Sequence, residues 1–521
     1  MDVIFFAVFM ALFAAMFTFL GYLGYKKTKT AEDYYVAGRK MGPLVIAFSY
    51  GATFISAVAL IGFSGIASIY GHSILWLAFL NIFVGVLIAF IFYGFRTRKM
   101  GLSLKAVTLP EMLGNRFNST RLQSVSGLII AIFMIAYASA VFLAVASLFQ
   151  VTFGISYELC VIIFTIVVGL YIVVGGLYAV MWTHAIQGIL MIVGMLILTI
   201  GIYAMLGGVG PAHEAAAALS HDQLLGMGWK NVPSGFTTLT SFPETFSPAF
   251  MTILTLVFGV GIGVLAQPQL IVRYLSAKSE KALRRAIPYG GIFILLMTFT
   301  AFSIGPLCNV LMINNRLSYP GTPDKVVPLV ISELFPQWFV FLFLFVVLAA
   351  AMSTASALFH TAGASIGRDV FEKGIMKGIS QGKSIKITRI ATIIIVIATL
   401  IITLNPLDVV AIMCAFFFGL MACTFLAPYT FMLYWKKTSK AGAWAGMLGG
   451  FVFTMLWYAL VYFKTAPQII GSSLINEYVW NMLDPIFIGI PLSFLLTYVF
   501  SKLILQDKEE QKLVKRAFEN I

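Results

Sequence analysis

Three residues near the two-thirds point of the chain carry the clearest chemistry. In the run Leu348-Ala-Ala-Ala-Met-Ser-Thr-Ala-Ser-Ala357, the carbonyl of Ala350 lies one helical turn before the hydroxyls of Ser353 and Thr354. A helical carbonyl keeps a second lone pair after making its backbone bond, so these groups offer three uncharged oxygens to one point. That is half of an oxygen cage for a hard cation such as sodium. Serine and threonine in a membrane helix otherwise bond back to their own backbone. The rest of the cage must therefore come from another segment whose carbonyls have been freed.

Two segments are candidates for such a break. One reads Phe48-Ser-Tyr-Gly-Ala-Thr-Phe-Ile-Ser-Ala57 and continues through Gly62 and Gly65; the other reads Phe258-Gly-Val-Gly-Ile-Gly-Val-Leu-Ala-Gln-Pro268. Glycine weakens a helix and proline removes a backbone donor. Inside lipid, freed backbone groups need an internal partner or a wet cavity. Close helix packing through small residues is the competing explanation for both segments.

The elements that hold these groups follow from composition. Of 521 residues, 60% are hydrophobic and 10% are charged. A soluble domain carries about 45–50% apolar and about 25% charged residues. A soluble enzyme, a secreted disulfide scaffold, a nucleic-acid binder and a disordered chain are all excluded as overall classes. Cys160, Cys308, Cys414 and Cys423 sit in or beside apolar runs without metal or disulfide spacing, and read as small core residues. No cleavable signal peptide is evident, because Met1-Asp2 leads straight into an apolar run. Apolar runs predict an all-α polytopic membrane protein with thirteen spans. They lie at roughly 3–25, 45–70, 74–95, 122–150, 157–180, 184–206, 249–272, 286–312, 335–366, 388–405, 408–435, 441–463 and 483–505.

With these spans, thirty of the 34 lysines and arginines fall on one side. Basic residues are retained in cytoplasmic loops, so the N-terminus is expected outside and the C-terminus inside. The net charge of +14 is thus a topology signal rather than a nucleic-acid one. Gly367–Arg389 reads as a mobile cytoplasmic linker, and the tail from Asp507 as a charged amphipathic helix on the membrane or in solvent. His213 and His221, eight apart in an external loop, read as surface residues rather than metal ligands. No Asp, Glu, Lys or Arg falls near the middle of a span, which argues against a carboxylate proton relay. The two broken segments lie five spans apart. Because five is odd, repeats starting at each would have inverted topology, the arrangement that points to a midplane substrate and ion site.

Five motifs in order carry a family resemblance over roughly residues 5–500. They are Asp33-Tyr-Tyr-Val-Ala-Gly-Arg39, Gly175-Gly-Leu-Tyr-Ala-Val-Met-Trp-Thr-His-Ala-Ile-Gln187, Gln267-Pro-Gln-Leu-Ile-Val-Arg-Tyr274, Ala350-Ala-Met-Ser-Thr354 and Gly442-Ala-Trp-Ala-Gly-Met-Leu-Gly449. The chain resembles the sodium/solute symporter family, which includes proline, pantothenate, monocarboxylate, sugar and sialic acid carriers. The resemblance implies a LeuT-type 5+5 fold. Residues 1–30 would hold a peripheral first helix, 45–206 and 249–435 the inverted repeats, 441–505 two further peripheral spans and 506–521 a cytoplasmic tail. It implies one sodium ion, as coupling ion, held by the carbonyls of Ala52, Ile55 and Ala350 and the hydroxyls of Ser353 and Thr354. The Ala52 and Ile55 assignments come only from matching Ala52-Thr-Phe-Ile-Ser56 to the family pattern.

There are three departures from that pattern. His184 stands where members commonly carry Asp, so one ion per cycle is expected. His184 itself is read as a solvated residue at the cytoplasmic edge, with a proton role as the alternative. Phe54 replaces an acid found in the proline carriers, and Val260 and Val264 replace aromatics in the seventh span. Both of these weaken proline as the substrate.

A substrate cavity is expected beside the ion, lined by Thr53, Phe54, Ser56, Tyr137, Ser139, Gln267 and the stretch Phe416–Phe418, Phe417 foremost. With no fixed charge available, a small monocarboxylate fits best, held by hydroxyls, an amide and a half-helix N-terminus. The expected partners are a small solute, sodium and the bilayer of the cell (inner) membrane, with no nucleic acid, and the chain is expected to act as a monomer. Amino acid or pantothenate symport, proton coupling and a non-transporting sensor are the alternatives. An embedded enzyme is not supported, since the spans carry no nucleophile, metal cluster or acid pair.

Overall fold

The computed structural model describes residues 28–226, 244–245, 247–376, 378–405, 410–462 and 483–519, with a few isolated positions before residue 28. The expected first span therefore lies outside the described residues. The described chain is all-α, its helices joined by turns and loops, with an isolated bridge between Met41 and Ala277. Ten of its helices are long and apolar enough to cross a membrane. Their outer faces are apolar: Ile390, Ile393, Ile394, Ile397 and Ile401 form one exposed stripe at helical spacing.

The helices that matter below are numbered in chain order. Helix α1 is Ala31–Val36, closed at its start by a Thr30–Asp33 capping box. Helix α2 is Pro43–Phe54, with proline in its first turn. After a break comes a π-helical turn, Val58–Phe63, which runs into α3, Ser64–Tyr70. Helix α4 begins at Leu75–Ile82 and continues as a helical run to Ser103. Next come α5 (Leu109–Arg116), α6 (Thr120–Phe153) and α7 (Tyr157–Met205). Helices α8 (Pro248–Gly263) and α9 (Pro268–Leu275) are separated by a short 3-10 turn, Val264–Ala266. The remainder are α10 (Glu280–Asn314), α11 (Gln337–Ala364), α12 (Gln381–Thr403), α13 (Val410–Met421), α14 (Lys440–Trp457), α15 (Ile486–Leu503) and α16 (Lys508–Phe518).

Helix α11 is the axis of the bundle. Its apolar window is 94% buried, against 33% for α14 and 28% for α15. Those two outer helices pack on one another: Gly442 and Gly446 face Ser501 and Thr497, and Ser493 Oγ donates to the Gly446 carbonyl.

Both predicted breaks are present, but glycine causes neither. Ile55 is extended (φ −86°, ψ 96°) between α2 and the following π turn. Gly62 and Gly65 lie beyond it in helix and press against Val410 and Pro323. In the second segment the helix runs on through Gly259, Gly261 and Gly263 and breaks at Gln267 (φ −79°, ψ 111°), because Pro268 disfavours helix in the residue before it. A Cβ on Gly263 would lie 2.7 Å from the Phe418 carbonyl oxygen, and one on Gly261 would lie 2.8 Å from Leu80. These glycines seat α8 against its neighbours.

Three further expectations are corrected. The turn between the fifth and sixth spans falls at Gly176 (φ 58°, ψ 179°), not between 180 and 184. Gly367–Arg389 is mostly helix rather than a mobile linker. Helix α11 continues as a π-helix, Ser365–Ile375, and α12 starts at Gln381. Asp369 anchors the segment by accepting from Thr108 and Gln123, and Arg368 pairs with Glu111 and Glu372. The tail helix α16 docks on protein, with Val514, Ala517 and Glu510 buried. The Glu510 carboxylate accepts from the Lys440 N–H, and Arg516 donates to the Ser103 carbonyl.

Candidate functional site

The break after α2 sits against the middle of α11. Ser353 Oγ lies 2.6 Å from the Ala52 carbonyl oxygen and 2.9 Å from that of Ala350. Thr354 Oγ1 lies 3.0 Å from the Thr53 carbonyl and 3.5 Å from that of Ala52. Ala52, Ala350, Ser353 and Thr354 are thus brought together, with Ile55 at the break beside them. All are buried. The donor set is oxygen only, carbonyl and hydroxyl, with no nitrogen, sulfur or carboxylate. That chemistry suits a hard cation and not a transition metal. Among the described residues no cluster of His, Cys, Asp and Glu could hold a metal ion.

His184 is not at a solvated edge. Its side chain is fully buried, because the turn at Gly176 places it about two turns inside the second half of α7. One ring nitrogen, Nδ1, lies 3.2 Å from both Ser49 Oγ and Thr53 Oγ1; the other, Nε2, lies 2.9 Å from Ser356 Oγ. Arg273 joins this group. Sequence placed it among the loop residues that orient the chain, yet it too is fully buried. It donates to Ser49 Oγ (3.3 Å), Thr53 Oγ1 (3.0 Å) and the Gln269 carbonyl (2.5 Å). A fixed charge therefore lies inside the bundle, contrary to the expectation that none would.

Beyond Ile55, a cavity of about 20 Å³ separates α6, α8, α13 and the π turn after α2. That is room for about one water. Its polar lining is Ser56, Asn81, Tyr137 and Cys414, and its walls include Phe54 and Phe418. Tyr137 O–H is 3.5 Å from Ser56 Oγ, and its ring stacks on Phe417 at 4.9 Å and meets Phe418 edge-on at 5.3 Å.

Of the residues expected to line a substrate site, Phe54, Ser56 and Tyr137 line this cavity, and Phe417 stacks on Tyr137. The other three lie elsewhere. Thr53 turns its hydroxyl to His184 and Arg273. Ser139 accepts from Thr403. Gln267 closes onto the Gly263 carbonyl. Sequence reasoning missed Asn81, which is buried in this wall with its Oδ1 unpartnered. Its only signal was an amide inside the long apolar run of the third span.

A larger space of about 410 Å³ opens at the basic end, lined by Glu32, Tyr35, Arg39, Lys105 and Arg368 among others. Between it and the oxygen cage a smaller cavity follows α11 past His360, Thr361 and Ser365. At the opposite end, His213 bonds to Tyr203 and packs on His72, with no metal set around it.

The sodium:solute symporter family model matches residues 34–450. A sodium/proline symporter of Staphylococcus aureus is 28% identical over 507 residues, covering 95% of this chain and 92% of the relative. Among solved structures, a substrate-bound, outward-open sodium-coupled sialic acid symporter superposes with a TM-score of 0.76 at 19% identity, covering 96% of this chain and 97% of that one. MhsT in complex with L-phenylalanine superposes at 0.50 with 13% identity, covering 88% and 99%. These likenesses place the bundle in the LeuT-like architecture.

Proposed function

The chain belongs to the sodium:solute symporter family, and from that premise we propose that it imports one small organic acid, most simply a monocarboxylate, with one sodium ion per cycle. The ion reading is carried by the convergence of the Ala52 and Ala350 carbonyls on the Ser353 and Thr354 hydroxyls at a helix break. Ile55 supplies the fifth oxygen.

The substrate reading rests on the cavity. Its polar lining is hydroxyl, thiol and amide, without a carboxylate. A carboxylate gains from such donors. The adjacent sodium ion neutralises it. An amino acid such as proline is the second reading. The unpartnered Asn81 Oδ1 would accept from a substrate amine, and a proline carrier is among the relatives.

The full chain would cross the inner membrane thirteen times as a monomer, N-terminus outside and C-terminus inside, with 45–206 and 249–435 as the inverted repeats. Sodium drawn in by its gradient fills the cage and ties α2 to α11, which orders the neighbouring pocket. One sodium ion with one carboxylate moves no net charge, so the sodium concentration gradient alone drives that solute; a zwitterionic solute would leave one charge crossing 100 mV, about 2.3 kcal/mol or roughly 50-fold accumulation. Release then occurs at the basic end, where the larger cavity opens.

The test is uptake of labelled lactate into proteoliposomes under an inward sodium gradient, with potassium replacing sodium as control and unlabelled pyruvate, proline and pantothenate competing. Sodium-dependent lactate uptake supports the reading, and proline competing best moves the substrate to the second. Uptake indifferent to sodium but driven by external acid sinks the ion reading and brings His184 forward. Asn81→Leu is expected to raise the substrate KM about tenfold, since a lost buried hydrogen bond costs about 1–3 kcal/mol. The half-saturating sodium concentration should stay within about twofold.

A further inference from the structure

We infer that Arg273 is a resident positive charge that sets the affinity of the sodium cage, holding it weak enough for the ion to leave at the basic end. The inference rests on the sodium reading above and adds to it a residue outside the cage.

The guanidinium is fully buried. Its contacts are two hydroxyls, one carbonyl and an imidazole nitrogen, His184 Nδ1 at 3.5 Å. No carboxylate pairs with it among the described residues. Among the described residues, two histidines lie within its electrostatic reach, His184 on α7 and His360 on α11. Arginine does not give up its proton in proteins. The hydrogen bonds satisfy its N–H groups, but they leave the charge itself uncompensated.

That charge sits beside the cage. Arg273 Nη2 donates to the side chain of Thr53, while the backbone carbonyl of the same Thr53 faces Thr354 Oγ1. Ala52, the preceding residue, supplies a cage carbonyl. Helix α2 runs from the basic end at Pro43 toward the break, and Ser49 and Thr53 lie on it one turn apart. The guanidinium therefore stands on the basic-end side of the ion. Two like charges roughly 8–10 Å apart, at an effective dielectric near 20, repel enough to weaken an affinity on the order of tenfold. A cage of neutral oxygens in a closed bundle would otherwise hold the ion against release. Ser49 and Thr53 keep the guanidinium in place, so the repulsion is a built-in property of the closed bundle.

The test is the half-saturating sodium concentration of the purified full chain, read by radioactive sodium binding and by sodium-dependent shifts in melting temperature. Arg273→Gln is expected to tighten sodium about tenfold. Arg273→Lys keeps the charge but loses the fork, and should return the value to within about threefold of wild type. Ser49→Asp places a carboxylate against the guanidinium without removing it and should also tighten sodium, which keeps the test alive if Arg273→Gln does not fold. A merely structural role predicts weaker or unchanged binding in Arg273→Gln, and that result overturns the inference. So does Arg273→Lys tightening as much as Arg273→Gln, because the tether and not the charge would then be at work. An unchanged sodium response in Ser353→Ala is a different failure, that of the cage assignment itself.

Discussion

The two broken helices answer the same problem in opposite ways. A break frees backbone groups that must find partners inside the bundle. After α2, the freed carbonyls of Ala52 and Thr53 meet hydroxyls on another helix, Ser353 and Thr354 of α11. After α8, the Gly263 carbonyl is met from its own segment, because Gln267 Nε2 reaches back four residues at 2.9 Å, and Pro268 has no N–H to satisfy. The second break is self-contained. The first depends on a distant part of the chain and shares its oxygens with mobile hydroxyl rotors, which an ion can reorient. A helix break is open to an incoming ion when its satisfaction is borrowed rather than local.

Three variants test that contrast, beginning with the largest effect. Ser353→Ala combined with Thr354→Ala removes the borrowed partners, and sodium-driven uptake should fall at least tenfold with loss of the sodium-induced rise in melting temperature. Sodium binding that survives the double change breaks the comparison on its first side. Gly263→Ala forces a methyl group toward the Phe418 carbonyl, and overpacking of this kind costs about 1–3 kcal/mol. Thermal melting should show it as a lower midpoint, with the sodium midpoint concentration little changed. Gln267→Leu leaves the Gly263 carbonyl unmet, a loss of about 1–2 kcal/mol in stability. If it shifts sodium affinity more than stability, the second break is not self-contained and the contrast fails from the other side.

The parts of this design that depend on periodicity and local chemistry were legible in the chain. The apolar runs mark most helices within a few residues, and the Ser353-Thr354 pair stands out because hydroxyls are adjacent in an otherwise alanine-rich turn. Positions set by a single backbone torsion were not legible. Glycines at 175 and 176 both allow a turn, and only the fold chooses Gly176; placing the turn a few residues later moved His184 from a buried network to an imagined edge. Arg273 was misread for a related reason. A basic residue at the end of an apolar run is ordinarily an orienting residue, and nothing in sequence says that α9 tucks its last turns inward. Asn81 was hidden by its surroundings, since its place in the cavity wall comes from distant segments meeting it.

The cavity beside Ile55 holds about one water, whereas even a three-carbon acid occupies several times that volume. No solute of the proposed class can therefore enter without the cavity walls, the rings of Tyr137 and Phe418 among them, moving apart. The measured affinity for any solute is then its intrinsic affinity reduced by the population of the parted state. Discrimination among solutes of similar polarity follows from how far each one props the rings open. Substitutions that loosen these walls should improve weak and strong solutes alike, and so widen the range of molecules carried rather than exchange one for another.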